Sequence, residues 1–364
     1  MDSAEQPIKR ALIFPGFRIG KLTGMGKDLA EAFPNEAGAV FAKVDGALGF
    51  KLSTLMFEGP EEKLKLLENR LPAMFALNMV LMSVIESRAR GLGVWDALKN
   101  SFVGYAGHSF GEYSALCAGG SIDFDKTVLM MRDSGRSMDR DLLMQSGAMA
   151  IIFSGDPIPP ETAREIADVA AAQATAETGK EKLCVIVNDN APNQIVLSGH
   201  KEAIEHVKEI AARYELIGRK FNENVPAHSP LMRNGVKILR GHVAKLQVKV
   251  PGVPFISGCT AQFENSPRDI RRMMAENVAV PVMWQDTLRF LGDQGVTQVI
   301  ECGDQLSSFV SVAEPRISAV PLKSPAQIDD FLKSLIEPGT AIAAGARARA
   351  MDTTGVFRPV ASME

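Results

Sequence analysis

Ser101-Phe102-Val103-Gly104-Tyr105-Ala106-Gly107-His108-Ser109-Phe110-Gly111-Glu112 decides the fold, because an apolar run stops at glycine and a helical pattern resumes over Glu112 to Ala118. The order reads as strand, sharp turn, helix. Glycines on either side of Ser109 lack a Cβ and let the chain turn tightly enough to hold the serine in a strained backbone conformation. Its hydroxyl then stands at a helix start, where the helix dipole and free backbone N–H groups favour the negative charge that develops when a serine attacks a carbonyl. A glycine-rich turn with no chemistry would show the same pattern, so the reading needs a base.

Five histidines are available: His108, His200, His206, His228 and His242. His200 and His206 sit beside and within the charged stretch Lys201 to Tyr214, which reads as a solvated helix, and His242 lies in another helix-like segment. The side chain of His108, next to the nucleophile, should point away from the serine, lining the site or bracing the turn. His228 follows Val225-Pro226-Ala227 at the entry to a new segment, a loop-edge position that suits a catalytic imidazole.

Upstream, Ala11-Leu12-Ile13-Phe14 halted by Pro15-Gly16 predicts a buried strand, and Ala73 to Ser87, apolar nearly all round, predicts a buried helix. Downstream, Ala148 to Phe153, Cys184 to Val187 and Gln194 to Leu197 read as short strands, with helices over Glu161 to Thr178 and Lys201 to Tyr214. This order suits a small α+β insert. Longer helices return after Pro226, and Val296 to Glu301 reads as another buried strand. The expected division is a discontinuous large domain over 10–146 and 222–325, a small subdomain over 147–221, and a loosely held tail over 339–364.

A chain of 364 residues, 46% hydrophobic and 23% charged, can bury a substantial core in such a pair of domains. The formal charge of −3 and the lack of a dense Lys/Arg run with interleaved aromatics argue against nucleic acid as a partner. Cys117, Cys184, Cys259 and Cys302 lack the close spacing of a metal site or redox pair, and read as reduced core thiols. The N-terminal apolar run is too short for a leader or a span, so a cytoplasmic protein without a membrane segment is expected.

Gly107-His108-Ser109-Phe110-Gly111-Glu112-Tyr113-Ser114-Ala115-Leu116 resembles the nucleophile motif of malonyl-CoA:acyl carrier protein transacylases and of polyketide synthase acyltransferase domains. Phe14-Pro15-Gly16 with Gly24-Met25-Gly26 resembles that family's N-terminal oxyanion segment. Asn190 to Gly199, Val225 to Met232, Pro281-Val282-Met283-Trp284 and Gly295 to Gly303 resemble its remaining motifs, so the likeness spans about residues 10–325. It implies an α/β-hydrolase-like large domain with a ferredoxin-like subdomain, and a ping-pong reaction through an acyl-serine. Ser109 would be the nucleophile and His228 the general base and acid. The backbone carbonyl of Asn277 would orient the histidine, and the backbone N–H groups of Phe17 and Phe110 would form the oxyanion hole. His108, Asn190, Ser134 and Leu71 would stand at substrate-binding positions. Acyl-CoA and acyl carrier protein are the implied partners, with no metal or redox cofactor.

Three departures concern the acyl group. Malonyl-selective members carry an arginine in the helix after the nucleophile, to grip the substrate carboxylate. Alignment on Ile122-Asp123-Phe124 and Met138 places Ser134 there. Arg132 and Arg136, two residues to either side, lie about 200° away around a helix and cannot simply take over. The family's Gly-Gln-Gly-Ser-Gln becomes Gly16-Phe17-Arg18-Ile19-Gly20, and its Gln-Pro becomes Leu71-Pro72. The malonyl group is the family default, but these losses favour an uncharged acyl group unless Arg18 or Lys21 reaches a carboxylate. Hydrolysis of acyl groups from carrier proteins and a non-catalytic carrier-docking scaffold are the competing readings.

Overall fold

The structure is a computed structural model that describes residues 8–17, 20–142, 147–222 and 224–336. The expected tail over 339–364 and Arg18 lie outside the described residues. Strands β1 (Arg10–Phe14) and β2 (Phe102–Gly107) come first, followed by β3 (Gly147–Phe153), β4 (Cys184–Ala191), β5 (Gln194–His200) and β6 (Ile217–Lys220). Further along are β7 (Phe255–Ser257), β8 (Gln262–Glu264), β9 (Gln298–Glu301) and β10 (Ser318–Pro321).

The large domain is built on a sheet of order β10-β9-β1-β2-β7-β8, parallel except for the last pair. Every residue of β1 is buried, as expected of a strand covered on both faces by helices. Phe14 pairs with Gly107, so β1 and β2 end side by side, and the loops after them emerge at one edge. Ligands bind at this carboxyl edge in open α/β sheets.

The helix Leu67–Gly91 is longer than its apolar pattern predicts and begins upstream of Pro72. Proline has no N–H to close the bond onto residue 68. Arg132 Nη1 takes the released Glu68 carbonyl at 3.0 Å, and Asp139 caps the helix start by accepting the Leu67 and Glu68 N–H groups at 3.0 and 2.9 Å. Although long and apolar enough to cross a bilayer, this helix is mostly buried in the core of the large domain. The large domain also runs past residue 325, because the helix Pro325–Ile336 buries Ile328, Phe331, Leu332 and Leu335 in the same core.

The small subdomain is an antiparallel sheet of order β4-β5-β3-β6 in a βαββαβ chain path, which is the ferredoxin-like arrangement. It has its own core, including Ile152, Ile166, Leu197 and Val207. Backbone bonds from Asp189 N–H to Val282 O, 3.2 Å, and from Val282 N–H to Val187 O, 2.8 Å, pin β4 to the large domain. The expected fold class, an α/β large domain carrying a ferredoxin-like insert, is the observed one.

Candidate active site

Ser109 sits one residue past the Gly107-His108 step at the end of β2, with φ 55°, in the left-handed region. The two flanking glycines are sterically required. A Cβ on Gly107 would stand 2.1 Å from Glu112 N, and one on Gly111 would stand 2.0 Å from Phe14 O. The turn is tied to its neighbour strand by His108 N–H donating to Phe14 O at 2.9 Å, and the helix Gly111–Ala118 starts at once.

His228 Nε2 lies 2.7 Å from Ser109 Oγ. The histidine also has a left-handed backbone, φ 62°, held by its N–H donating to Val278 O at 2.6 Å. Its Nδ1 faces two backbone carbonyls, Asn277 O at 2.8 Å and Val280 O at 3.0 Å. Carbonyls only accept, so Nδ1 carries the proton and the Nε2 lone pair faces the serine hydroxyl. Burial lowers the His228 pKa below the usual histidine value, while the two carbonyls pull it back up. None of the histidines at 200, 206 and 242 lines this site. His200 accepts the Leu183 N–H, and His206 contacts Glu177 at 3.0 Å.

Beneath the pair lies a buried polar network that includes Glu112. Asn277 Nδ2 donates to Glu112 Oε2 at 2.8 Å and to Ser109 O at 3.3 Å. Glu112 Oε1 accepts the Ser257 hydroxyl at 2.8 Å and the Gly258 N–H at 2.7 Å. Burial pushes the Glu112 carboxyl above the usual range, against these hydrogen bonds. Tyr113 donates to Met274 O at 2.6 Å, holding the same helix from its other side.

A cavity of about 320 Å³ opens over Ser109 and His228 between the two domains. His108 is on its wall, its Nε2 2.9 Å from Asn190 Oδ1 and its ring edge-on to buried Trp284. Burial lowers its pKa to about 4. Asn190 is held in turn by Gln194 at 3.2 Å. Phe17 and Phe110 meet with ring centroids 5.7 Å apart at the same end. Gly16 permits that approach, since a Cβ there would lie 2.5 Å from His108 O and 3.2 Å from Phe110 N. Asn78 Nδ2 ties Pro15 O to Ser114 Oγ, at 2.9 and 3.0 Å.

Two expected substrate positions are off this wall. Ser134 is completely buried, its hydroxyl directed at Met130 Sδ 3.5 Å away, and Leu71 is packed in the core of the large domain. The close approach of the helix Phe124–Leu142 to Leu67–Gly91, where a Cβ on Gly135 would lie 2.4 Å from Leu67 O, leaves the short serine side chain enclosed between them. Arg132 and Arg136 are both drawn to Glu68, at 3.3 and 3.0 Å, and Arg132 also bonds Asn69 Oδ1. Arg70 lines the cavity instead, one turn along from Leu67, which lines it too. The sequence reading did not place Arg70 on this wall.

Residues 20–303 match the acyl transferase domain family. The chain belongs to that family. As an acyl transferase domain, it is 30% identical to the malonyl CoA-acyl carrier protein transacylase of Bacillus subtilis over 335 residues, 90% of this chain and 98% of that protein. Its fold matches the acyl-carrier-protein-S-malonyltransferase of Bartonella henselae with a TM-score of 0.78 at 30% identity, covering 90% of this chain and 99% of the other. It also matches the malonyl-transacylase solved in complex with its type II polyketide synthase acyl-carrier protein, with a TM-score of 0.77 at 28% identity over 90% and 99% of the two chains.

Proposed function

We propose that this acyl transferase domain moves acyl groups from coenzyme A to the phosphopantetheine thiol of an acyl carrier protein, by way of an ester on Ser109. The 2.7 Å contact between Ser109 Oγ and the unprotonated Nε2 of His228 carries the reading. Ser109 Oγ attacks the thioester carbonyl as its proton passes to Nε2. The backbone N–H groups of Phe17 and Phe110 receive the developing oxyanion. As the tetrahedral intermediate collapses, the C–S bond breaks and the departing sulfur takes the proton from Nε2, leaving acyl-Ser109 and free coenzyme A. The carrier thiol then gives its proton to Nε2 and attacks the ester. Ser109 leaves with that proton, and the cycle closes as a ping-pong exchange.

The carrier partner is supported by the related malonyl-transacylase solved with its acyl-carrier protein. The expectation of an uncharged acyl group rests on three losses of polar anchoring, at Ser134, over residues 16–20 and at Leu71; Gly16 and Phe17 line the cavity, whereas Ser134 and Leu71 are off its wall. The test is to incubate the protein with a panel of acyl-CoAs and pantetheinylated acyl carrier protein and follow every intact mass. An adduct on the enzyme that passes to the carrier is expected, and is absent from S109A. Free acid released from acyl carrier protein would make the domain a hydrolase. No adduct with any thioester would leave only a docking scaffold.

A further inference from the structure

We propose that Gln285 and Asp189 form a positioning pair, which sets the cavity wall supplied by the small subdomain against the catalytic pair of the large domain. The inference rests on the acyl-Ser109 reading and adds positioning residues to it. Ser109 and His228 both belong to the large domain, as do the carbonyls of Asn277, Val278 and Val280 that hold the His228 imidazole and N–H. The facing wall of the cavity, including Met149, Ile151, Asn188, Asn190 and Val196, comes from the small subdomain. The width of the cavity therefore depends on how the two domains are joined. Gln285 Nε2 donates across that join to both carboxylate oxygens of Asp189, at 3.0 and 3.1 Å.

Asp189 stands on β4 between Asn188 and Asn190. Those two line the cavity, whereas the Asp189 carboxylate meets the helix Trp284–Asp293. That helix is a firm base: Leu288 and Leu291 are buried in one core with Ile13 and Ile256 of the large sheet, and the Met283 N–H just before it donates to Gly258 O at 2.7 Å. Gln285 is buried, and its Oε1 accepts Arg289 Nη2 at 2.8 Å, which fixes the amide with its nitrogen toward the carboxylate. Burial works against the charged form of Asp189, and the Gln285 donor works for it. One residue further along β4, Asn190 Oδ1 holds His108 Nε2 at 2.9 Å, beside the nucleophile. A shift of β4 against this helix therefore reaches the cavity at Asn188, Asn190 and His108, and leaves the contact between Ser109 and His228 in place.

A merely structural pair predicts something different, since its loss would weaken the whole protein, the serine included. The experiment uses the full chain and two probes: malonyl-CoA, which needs the complete cavity, and phenylmethanesulfonyl fluoride, a small reagent that needs only an activated serine. Adduct formation is followed by intact mass in each case. Gln285→Glu sets one carboxylate against another at about pH 8. It should raise the half-saturating malonyl-CoA concentration about 10-fold, with the maximal loading rate and the sulfonylation rate within about threefold of wild type. Adding Asp189→Asn reverses the bond, with the new amide donating to the new carboxylate, and should bring half-saturation back to within about threefold of wild type. An equal fall with both probes in Q285E would make the pair structural and overturn the proposal. So would an unchanged half-saturation in Q285E, or a double variant no better than the single one, and either result would leave acyl transfer standing. A wild type that is sulfonylated on Ser109 but takes no acyl group from malonyl-CoA would sink the acyl-Ser109 reading and this inference with it.

Discussion

Glu112 and Asn277 form the relay on which the geometry of the base depends: the carboxylate accepts the Asn277 side-chain amide at 2.8 Å, and the backbone carbonyl of the same asparagine accepts His228 Nδ1–H at 2.8 Å. The carboxylate thus orients the imidazole at one remove, through a backbone group that no substitution at 277 deletes. Glu112→Gln sets an amide against either Asn277 Nδ2 or the Ser257 and Gly258 donors, whichever way it turns. It should lower stability by about 2 kcal/mol and slow acylation tenfold or more, on the order of what a displaced base costs. Urea unfolding and single-turnover acylation would check both; an unchanged acylation rate would remove Glu112 from the positioning of His228.

His228→Ala should slow acyl-Ser109 formation by about 10³-fold with the fold retained, the usual loss for a general base. Rapid-quench measurement of the adduct checks this, and a loss of less than tenfold would require another base.

The acid limb of kcat/KM should lie below the ordinary histidine value of about 6.5, because burial lowers the His228 pKa and the neutral imidazole is the active form. A limb above that value would contradict this assignment. His108 adds a stability effect in the same range. Its folded pKa is near 4, so below about 6.5 the unfolded chain takes up a proton that the folded one refuses. Unfolding free energy should therefore fall as pH drops from about 6.5 toward 4, with a shallower slope in H108Q, measured by denaturant titration at each pH.

Gly111→Ala forces a Cβ to within 2.0 Å of Phe14 O, a backbone atom with little room to move. A loss of about 3 kcal/mol or more is expected. Thermal unfolding would show it, and an unchanged Tm would mean that the turn and β1 part more easily than their packing implies.

Arg132→Met removes the donor to the Glu68 carbonyl that Pro72 leaves open. The expected result is a stability loss of about 1–3 kcal/mol with no change in the ratio of malonyl to acetyl loading. Calorimetry with the adduct assay checks it. A shifted ratio would show that Arg132 reaches the acyl group after all.

Much of this was legible along the chain. The strand, turn and helix around Ser109 follow from local sterics, and the choice of His228 followed from where the other histidines fall in charged or helical segments. The ferredoxin-like insert was readable because its helices and three of its strands are long enough to show a period. β6, β7, β8 and β10, of three or four residues each, were not. The equally short β9 was readable because it ends the apolar run Val296 to Glu301, and these four strands have no run of that length to mark them.

The sequence by itself determined the nucleophile turn, the histidine that faces it and the two-domain order, since each depends on residues adjacent along the chain or on a motif that survives as a block. Only the tertiary structure decided which side chains line the acyl cavity. Ser134 lies in the helix Phe124–Leu142, whose packing against Leu67–Gly91 buries it away from the cavity, while Arg70, some sixty residues earlier, is carried to the wall. A helix's own period says which residues share a face; what that face meets is set by the angle and depth at which another helix packs, and that information lies in both helices jointly.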